Sequence, residues 1–382
     1  MNRPAPVSAS GRYPPSPLIG PALEVHRGVE YAELNVRALL NRCSNKSAPF
    51  YWTINPYRGC EFGCAYCFAR YTHDFLGYEN WLAFERRIFV KRAAPAALRH
   101  DLRHKRLEGR SIAIGTATDP YQPAERHFGV TRAVLTELAR HRGLDLSITT
   151  KGALVTRDLE LLQQIHRRSR LWVHFSITTL NPELARRLEP RAPTPAKRFE
   201  AMAALAAGGI RTALFLMPVV PAISDRPPDL RALVARARAA GALEVHAAAL
   251  HLRRSAQRRF YPWLRDNFPE RLPFIDGRMQ LAQRATVEAY LRVNALLADR
   301  DAMAAGDRRM LEAIAPAARS DLDWPAIVLG TASALPQIHG LLANPDWRLV
   351  FGDDTGAVFL SRGLADRLGL RAPRIEGASA PR

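Results

Sequence analysis

Cys60, Cys64 and Cys67, three of the chain's four cysteines, stand in the segment TINPYRGCEFGCAYCFAR with the spacing Cys-x3-Cys-x2-Cys. Thiols this crowded in one loop read as metal ligands. Their number is informative, because a structural zinc site is normally closed by four ligands. Soft thiolates suit iron-sulfur chemistry, and a 4Fe-4S cluster held by three of them keeps one iron open to a further ligand. Cys43 lies seventeen residues upstream of Cys60, at the end of the helical-looking stretch NVRALLNRCSNKS, and has no closely spaced partner. A zinc knuckle completed by Cys43 or a histidine, or three unrelated buried thiols, are the alternatives.

A loop of this kind needs a scaffold to hold it. From residue 49 the chain alternates short apolar or β-branched runs with amphipathic stretches. SIAIGTAT (111–118), LDLSITT (144–150), LWVHFSITT (171–179) and TALFLMPVV (212–220) each read as a buried parallel strand. Between them, 129–142, 157–169 and 194–209 carry helical periodicity, the last closed by the glycine pair Gly208 and Gly209. Repeated strand–helix–strand units predict an α/β fold, as a full or partial barrel or as a doubly wound open sheet. Both gather functional groups at the carboxyl ends of the strands.

Residues 1–30 are rich in Pro, Ser and Gly and read as an extended or disordered leader on which no core depends. At the other end, 277–340 has long helical periodicity, and WRLVFGDDTGAVFLSR reads as a hairpin around its GDDTG turn. The expected organisation is an N-terminal extension (1–48), a catalytic core (49–275) and a C-terminal α+β appendage (276–382).

Hydrophobic residues make up 47% of the 382 residues and charged ones 24%, the balance of a globular chain. No apolar run approaches the roughly 20 residues of a membrane helix, and the first residues lack the pattern of a signal or transit peptide, so no membrane association and a cytoplasmic location are expected. The net charge of +19 makes nucleic acid a candidate partner. The bias weakens that reading, because five lysines (Lys46, Lys91, Lys105, Lys151 and Lys197) stand against fifty arginines.

The three-cysteine spacing, with the aromatic Tyr66 just before the third cysteine, resembles the radical S-adenosylmethionine (radical SAM) superfamily. The continuation YCFARYTHDFLGYENWLAFERRIFVK is similar to the spore photoproduct lyase-related branch, as are GTATDPYQPAER, SITTKG, SITTLNPELARRLEPRAPTPAKR and MPVVPAISD, so the resemblance spans roughly residues 49–275. It implies a partial (β/α)6 TIM-like barrel with a 4Fe-4S cluster on Cys60, Cys64 and Cys67 near its mouth. S-adenosylmethionine would chelate the open iron and be cleaved reductively to a 5'-deoxyadenosyl radical that abstracts hydrogen from a substrate. An electron donor such as flavodoxin or ferredoxin is implied as partner.

Carried over motif by motif, Tyr66 packs by the adenine, Thr118 faces the methionine moiety, Lys151 neutralises the carboxylate, Ser176 binds the same ligand and Val220 gives an apolar shelf against the adenine. Glu125, Glu189 and Arg191 fall in similar stretches as organising ion pairs outside the site. His73 and Asp74 read as supporting or capping groups rather than metal ligands.

The pattern also departs from the family. Spore photoproduct lyases use another cysteine as hydrogen donor at about the position of Ala117, so the resemblance supports the radical chemistry better than the substrate. The stretch RRSAQRRFYPWLRDNFPER (253–271) could stack bases between arginines. It reads more simply as an amphipathic helix burying Phe260, Trp263 and Phe268. The competing class is a metal-stabilised nucleic-acid-binding protein without turnover.

Overall fold

The computed structural model describes residues 18–45, 48–78, 80–220, 223–250, 252–271, 326–330, 347–352 and 356–361. It opens with β1 (Ile19–His26) and β2 (Val29–Leu34), followed by β3 (Asn41–Arg42), β4 (Trp52–Ile54) and β5 (Tyr57–Arg58). After the cysteine loop come the short helices α1 (Tyr71–Asp74) and α2 (Ala83–Arg86), then β6 (Arg87–Val90) and α3 (Ala94–His104). The strand–helix repeat follows as β7 (Ile112–Ile114), α4 (Ala124–Phe128), α5 (Val130–Leu138), β8 (Asp145–Thr150), α6 (Leu159–His166), β9 (Arg170–Ser176), α7 (Pro182–Leu188), α8 (Pro195–Ala207), β10 (Arg211–Val219), α9 (Pro227–Ala239), β11 (Ala242–Ala249) and α10 (Arg254–Asn267).

The main sheet has the order β11-β10-β9-β8-β7-β4-β3. Strands β4, β7, β8, β9 and β10 pair in parallel, each beside its predecessor. The order never reverses about a switch point, which makes a barrel progression and removes the doubly wound alternative. Its described edges are β3 and β11, so the chain forms a mixed α/β fold with a partial TIM-like barrel. Leu146 and Ile148 on β8, Leu171, Val173 and Phe175 on β9, and Leu214 and Leu216 on β10 are buried with the helix residues Val134, Leu138, Leu162, Ile165, Met202 and Leu205. Each such side chain contributes about 1.5–3 kcal/mol by leaving water. The intervening strand positions Ser147, Thr149, Trp172, His174 and Phe215 are half-buried, so the strands alternate rather than running fully buried as expected.

A second sheet, β1-β2-β6-β5, corrects the reading of residues 19–30 as a leader. Val29, Tyr31 and Leu34 are buried, and Ala32 and Leu34 form a core with Leu76, Tyr78, Ala83 and Phe89. The parallel partner of β2 is β6, where Tyr31 faces Ile88, and a partner more than fifty positions away leaves no local trace. Residues 1–17 lie outside the described residues. The stretch before Cys43 is likewise the short strand β3 rather than a helix end.

By its internal contacts the chain divides into a unit of residues 1–218, 235–246 and 250–274 and a unit of 219–234, 247–249 and 275–382. Within the second, β12 (Ala326–Gly330), β13 (Trp347–Gly352) and β14 (Gly356–Ser361) form an antiparallel sheet in which β14 is central. The pairing of β13 with β14 is the hairpin read from the sequence, while β12 is a strand where helical periodicity was expected. The other residues of 277–340 lie outside the described residues. No helix among the described residues is long and apolar enough to cross a membrane.

Candidate active site

The cysteine loop leaves β5 and runs to a 3-10 turn at Phe68–Arg70. Two glycines shape it, since Gly59 and Gly63 have φ of +89° and +67°. A Cβ on Gly63 would come within 2.8 Å of Glu85 Oε2, so both conformation and space demand glycine. The loop backbone is tied down from several directions. Cys60 N–H donates to Phe84 O (2.9 Å), Ala65 N–H to Leu188 O (2.9 Å), and Arg191 N–H to Phe62 O (3.2 Å). Beneath the loop the buried Arg70 donates to Cys64 O (2.7 Å) and pairs with Glu85 (2.5 Å).

Cys60 and Cys64 are buried and Cys67 is half-buried, all three as free thiols. Burial raises the pKa of each, that of Cys64 to about 12, and mutual repulsion of the thiolates adds to the effect at Cys60 and Cys64. Buried thiols that repel one another as anions need a cationic ligand to ionise them, which is what cluster iron provides. Among the described residues no three His, Cys, Asp or Glu side chains converge to hold a single metal ion. A 4Fe-4S cluster asks for less, because each thiolate binds its own iron. Cys43 stands apart at the β3 edge, with its N–H on Tyr51 O (2.9 Å) and its thiol facing Asn45 O (3.7 Å). The three loop thiols thus fit an iron-sulfur cluster without it.

Beside Cys64 the strand ends contribute a buried charge network. Lys151 follows β8, and its backbone N–H donates to Asp119 Oδ2 (2.7 Å) while Thr150 Oγ1 donates to Asp119 Oδ1 (2.7 Å). Its ammonium lies 3.9 Å from Glu189 Oε1 and 5.7 Å from the centre of the Tyr66 ring. Glu189 accepts the Tyr66 hydroxyl and pairs with Arg198 at 2.5 Å. Arg198 also donates to Ser176 O (2.9 Å) and Pro193 O (2.8 Å). Burial opposes the Glu189 charge, yet Arg198, Lys151 and the Tyr66 hydroxyl outweigh it and hold its pKa below the usual carboxylate range. Burial opposes the Lys151 charge as well, and Cys64, Glu189 and Asp119 together raise its pKa. The network is thus charged on both sides, with Tyr66 kept as a neutral phenol by burial and by Glu189.

The sequence-derived residues fall as follows. Tyr66 and Lys151 meet beside Cys64, whose titration both influence or share. Thr118 donates to Gly59 O (2.6 Å), joining the end of β7 to the cysteine loop, and Gln122 doubles that link (3.1 Å). Ser176 donates to Met217 O (3.3 Å) and reaches the network through Arg198. Val220 belongs to the other unit, where it is buried and its N–H donates to Ser224 Oγ (2.8 Å). Glu125 takes the Tyr57 hydroxyl and Arg157 and sits in a structural network of its own. His73 is buried among Tyr78, Phe84 and Phe89 with Nε2 at 2.9 Å from Arg87 O, a supporting group as expected. Phe260 and Trp263 of α10 are buried and Phe268 is half-buried, in line with the packing role of 253–271.

Asp119 and Arg198 were missed, and Glu189 was noticed but set outside the site. Asp119 directly follows the Thr118 that the resemblance picks out, while Glu189 and Arg198 lie in LEPRAPTPAKR, which runs from the end of α7 into α8, where nothing local marks them as buried.

Thiols in a pinned loop at the mouth of a partial barrel, beside charged strand ends, define a class of protein, and sequence comparison gives it a name. The sequence model of the radical SAM superfamily matches residues 54–234. An uncharacterized protein of Mycobacterium tuberculosis is 37% identical over 244 residues, covering 64% of this chain and 72% of its own. Another, of Methanocaldococcus jannaschii, is 30% identical over 174 residues, 46% of this chain and 62% of its own. The chain belongs to the radical SAM superfamily. Among solved structures, a spore photoproduct lyase mutant covers 89% of this chain and 76% of its own at 13% identity and TM-score 0.48. Streptococcus suis SuiB bound to S-adenosylmethionine covers 57% and 47% at 15% identity and TM-score 0.40.

Proposed function

We propose that the chain is a radical SAM enzyme in which Cys60, Cys64 and Cys67 hold a 4Fe-4S cluster and Tyr66, Thr118, Lys151, Ser176 and Val220 bind S-adenosylmethionine, with 49–275 as the core domain. The observation that carries this reading is the junction of the cysteine loop with the strand ends. Lys151 and Tyr66 share Glu189 beside Cys64, and Thr118 is bonded to the backbone of Gly59 one residue before Cys60. Held on the three thiolates, such a cluster would supply the one-electron reduction of S-adenosylmethionine and so hydrogen-abstraction chemistry toward a substrate.

The chain's own part is positional. Lys151 offers a compact ammonium to a carboxylate. Its backbone is fixed by Asp119, and its side chain is already oriented by Glu189 before any ligand arrives. Tyr66 is fixed through its hydroxyl, which donates to Glu189, and so would hold its ring in place for packing by the adenine. Burial of the loop keeps water from the reacting centre. Free thiols and an oxygen-labile cluster suit the reducing cytoplasm. The net charge of +19 favours an anionic substrate, nucleic acid being the candidate.

The test is anaerobic. The protein is reconstituted with iron and sulfide, reduced with dithionite, given S-adenosylmethionine and assayed for 5'-deoxyadenosine by mass spectrometry. The nucleoside should form and disappear in Cys64→Ala. A fully loaded cluster that yields none refutes the reading, and tight zinc binding by the same loop points to a structural metal site instead.

A further inference from the structure

Next to the half-buried cysteine the surface carries a contiguous group of aromatic rings that the chemistry above does not use. Phe68 follows Cys67 directly and is 44% exposed, and Phe75, at the end of α1, is 74% exposed. Tyr71 joins them, stacked on Phe68 (6.5 Å between centroids) and edge-on to Phe75 (5.8 Å). Scattered apolar residues on a surface mean little, but a run of neighbouring rings around a charged rim marks an interaction site. The rim is cationic. The Arg253 guanidinium lies 4.7 Å over the Tyr71 ring, Arg254 beside it is exposed, and Arg258 lies 3.8 Å from Asp74, the acid of the patch. Below, Arg58 donates to Thr72 O (3.5 Å).

The place of this patch in the chain selects its occupant. Of the three loop cysteines only Cys67 is part-exposed, and it is bonded through one peptide to Phe68. Any electron entering a cluster on this loop arrives most directly through that ligand. None of Lys151, Thr118 or Ser176 belongs to the patch, so it is not where the methionine cofactor is held. Electron-transfer complexes are small, weak and steered by charge, with a modest apolar centre inside a charged ring. Resting on the cluster reading above, we propose that Phe68, Tyr71 and Phe75, with Arg253, Arg254 and Arg258, form the docking surface for an acidic one-electron donor protein. On docking, the donor is oxidised by one electron and the oxidised cluster is reduced by one. No bond is made or broken and no proton need move.

The experiment uses the reconstituted full chain and reduced flavodoxin as the acidic probe. The rate of cluster bleaching is followed by stopped-flow absorbance, and binding by calorimetry at low salt. Wild type should be reduced more slowly by flavodoxin as salt rises. The pair Arg253→Glu and Arg254→Glu should slow flavodoxin reduction about tenfold or more at low salt and weaken binding in parallel, and Phe75→Ser should slow it at every salt concentration. Both variants should react with dithionite, which needs no docking site, at the wild-type rate. Flavodoxin rates unchanged in both variants overturn the assignment, as does equal slowing with dithionite, which would mean damage to the loop. A single-stranded oligonucleotide that loses affinity in the arginine variant while flavodoxin rates hold would make the patch a nucleic-acid surface instead. Wild type that takes up no iron-sulfur chromophore overturns the cluster reading and this surface with it.

Discussion

Arg198→Met isolates the contribution of the buried network. The guanidinium is almost wholly enclosed, with 1% of the residue exposed, and makes three contacts: Glu189 Oε2 at 2.5 Å, Ser176 O at 2.9 Å and Pro193 O at 2.8 Å. Methionine fills most of the stem and supplies no charge. Glu189 is then left as a buried carboxylate with the Tyr66 hydroxyl and an ammonium at 3.9 Å. Removing one partner of a buried pair costs about 3–5 kcal/mol, chiefly through the charge left behind. The two carbonyls that lose a donor add roughly 1 kcal/mol each. In a Glu189→Gln background no orphan charge remains, and the same substitution should cost only about 1–2 kcal/mol. The double-mutant cycle therefore predicts a coupling of about 2 kcal/mol or more between the two positions. Anaerobic urea unfolding of the four proteins, followed by tryptophan fluorescence, measures it. Loss of less than about 1 kcal/mol in the single variant, or strict additivity in the cycle, would refute the claim that Arg198 exists to hold Glu189.

Two further outcomes follow from the same geometry. Lys151→Ala should weaken S-adenosylmethionine binding to the reconstituted protein about tenfold, roughly 1.4 kcal/mol, with iron content unchanged, and Lys151→Arg should not restore it because a planar fork does not replace a point charge. Equal affinity in equilibrium binding would remove Lys151 from the site. His73 has its pKa lowered from 6.5 to about 3, first by burial. The unfolded chain therefore takes up the proton first, and the contribution is complete above pH 6.5 and lost as pH falls toward 3. About 2 kcal/mol should disappear between pH 7.5 and 5. His73→Phe, which gives up the bond to Arg87 O, should flatten that slope in unfolding measurements, and an unchanged slope would show that His73 is not its source.

What could be read from the sequence divides along the range of the interactions. The cysteine loop was legible because its chemistry is local: three thiols, two turn glycines and an aromatic within a dozen residues. The strand–helix repeat was legible for the same reason, since period and capping act over one element, and α8 begins at its Thr194 cap and ends at Gly208 close to where the pattern put it. The order of the sheet was not legible in the pattern, which allowed a barrel or a doubly wound sheet; the family resemblance implied the barrel, and the observed strand order agrees with it. The leader was misread because β1 and β2 are stabilised by β6, and a short strand among Pro and Gly carries too little pattern to announce a distant partner.

The network at the site is the more instructive case. Tyr66 and Glu189 are 123 positions apart, and Glu189 and Arg198 sit on opposite sides of a turn between two helices. Glu189 read only as an organising ion pair outside the site, and with fifty arginines in the chain Arg198 does not stand out by type. Burial makes them special, and burial is a property of the assembled barrel. Lys151 could be singled out because SITTKG resembles a motif of the lyase-related branch, while the residues that hold Lys151 in place could not. Asp119 fixes its backbone and Glu189 its ammonium, and both act only after β7, β8 and α7 have been brought together. A site of this kind therefore shows its reacting groups in sequence before it shows the groups that aim them, and the aiming groups are the ones whose removal the unfolding cycle at Arg198 and Glu189 can weigh.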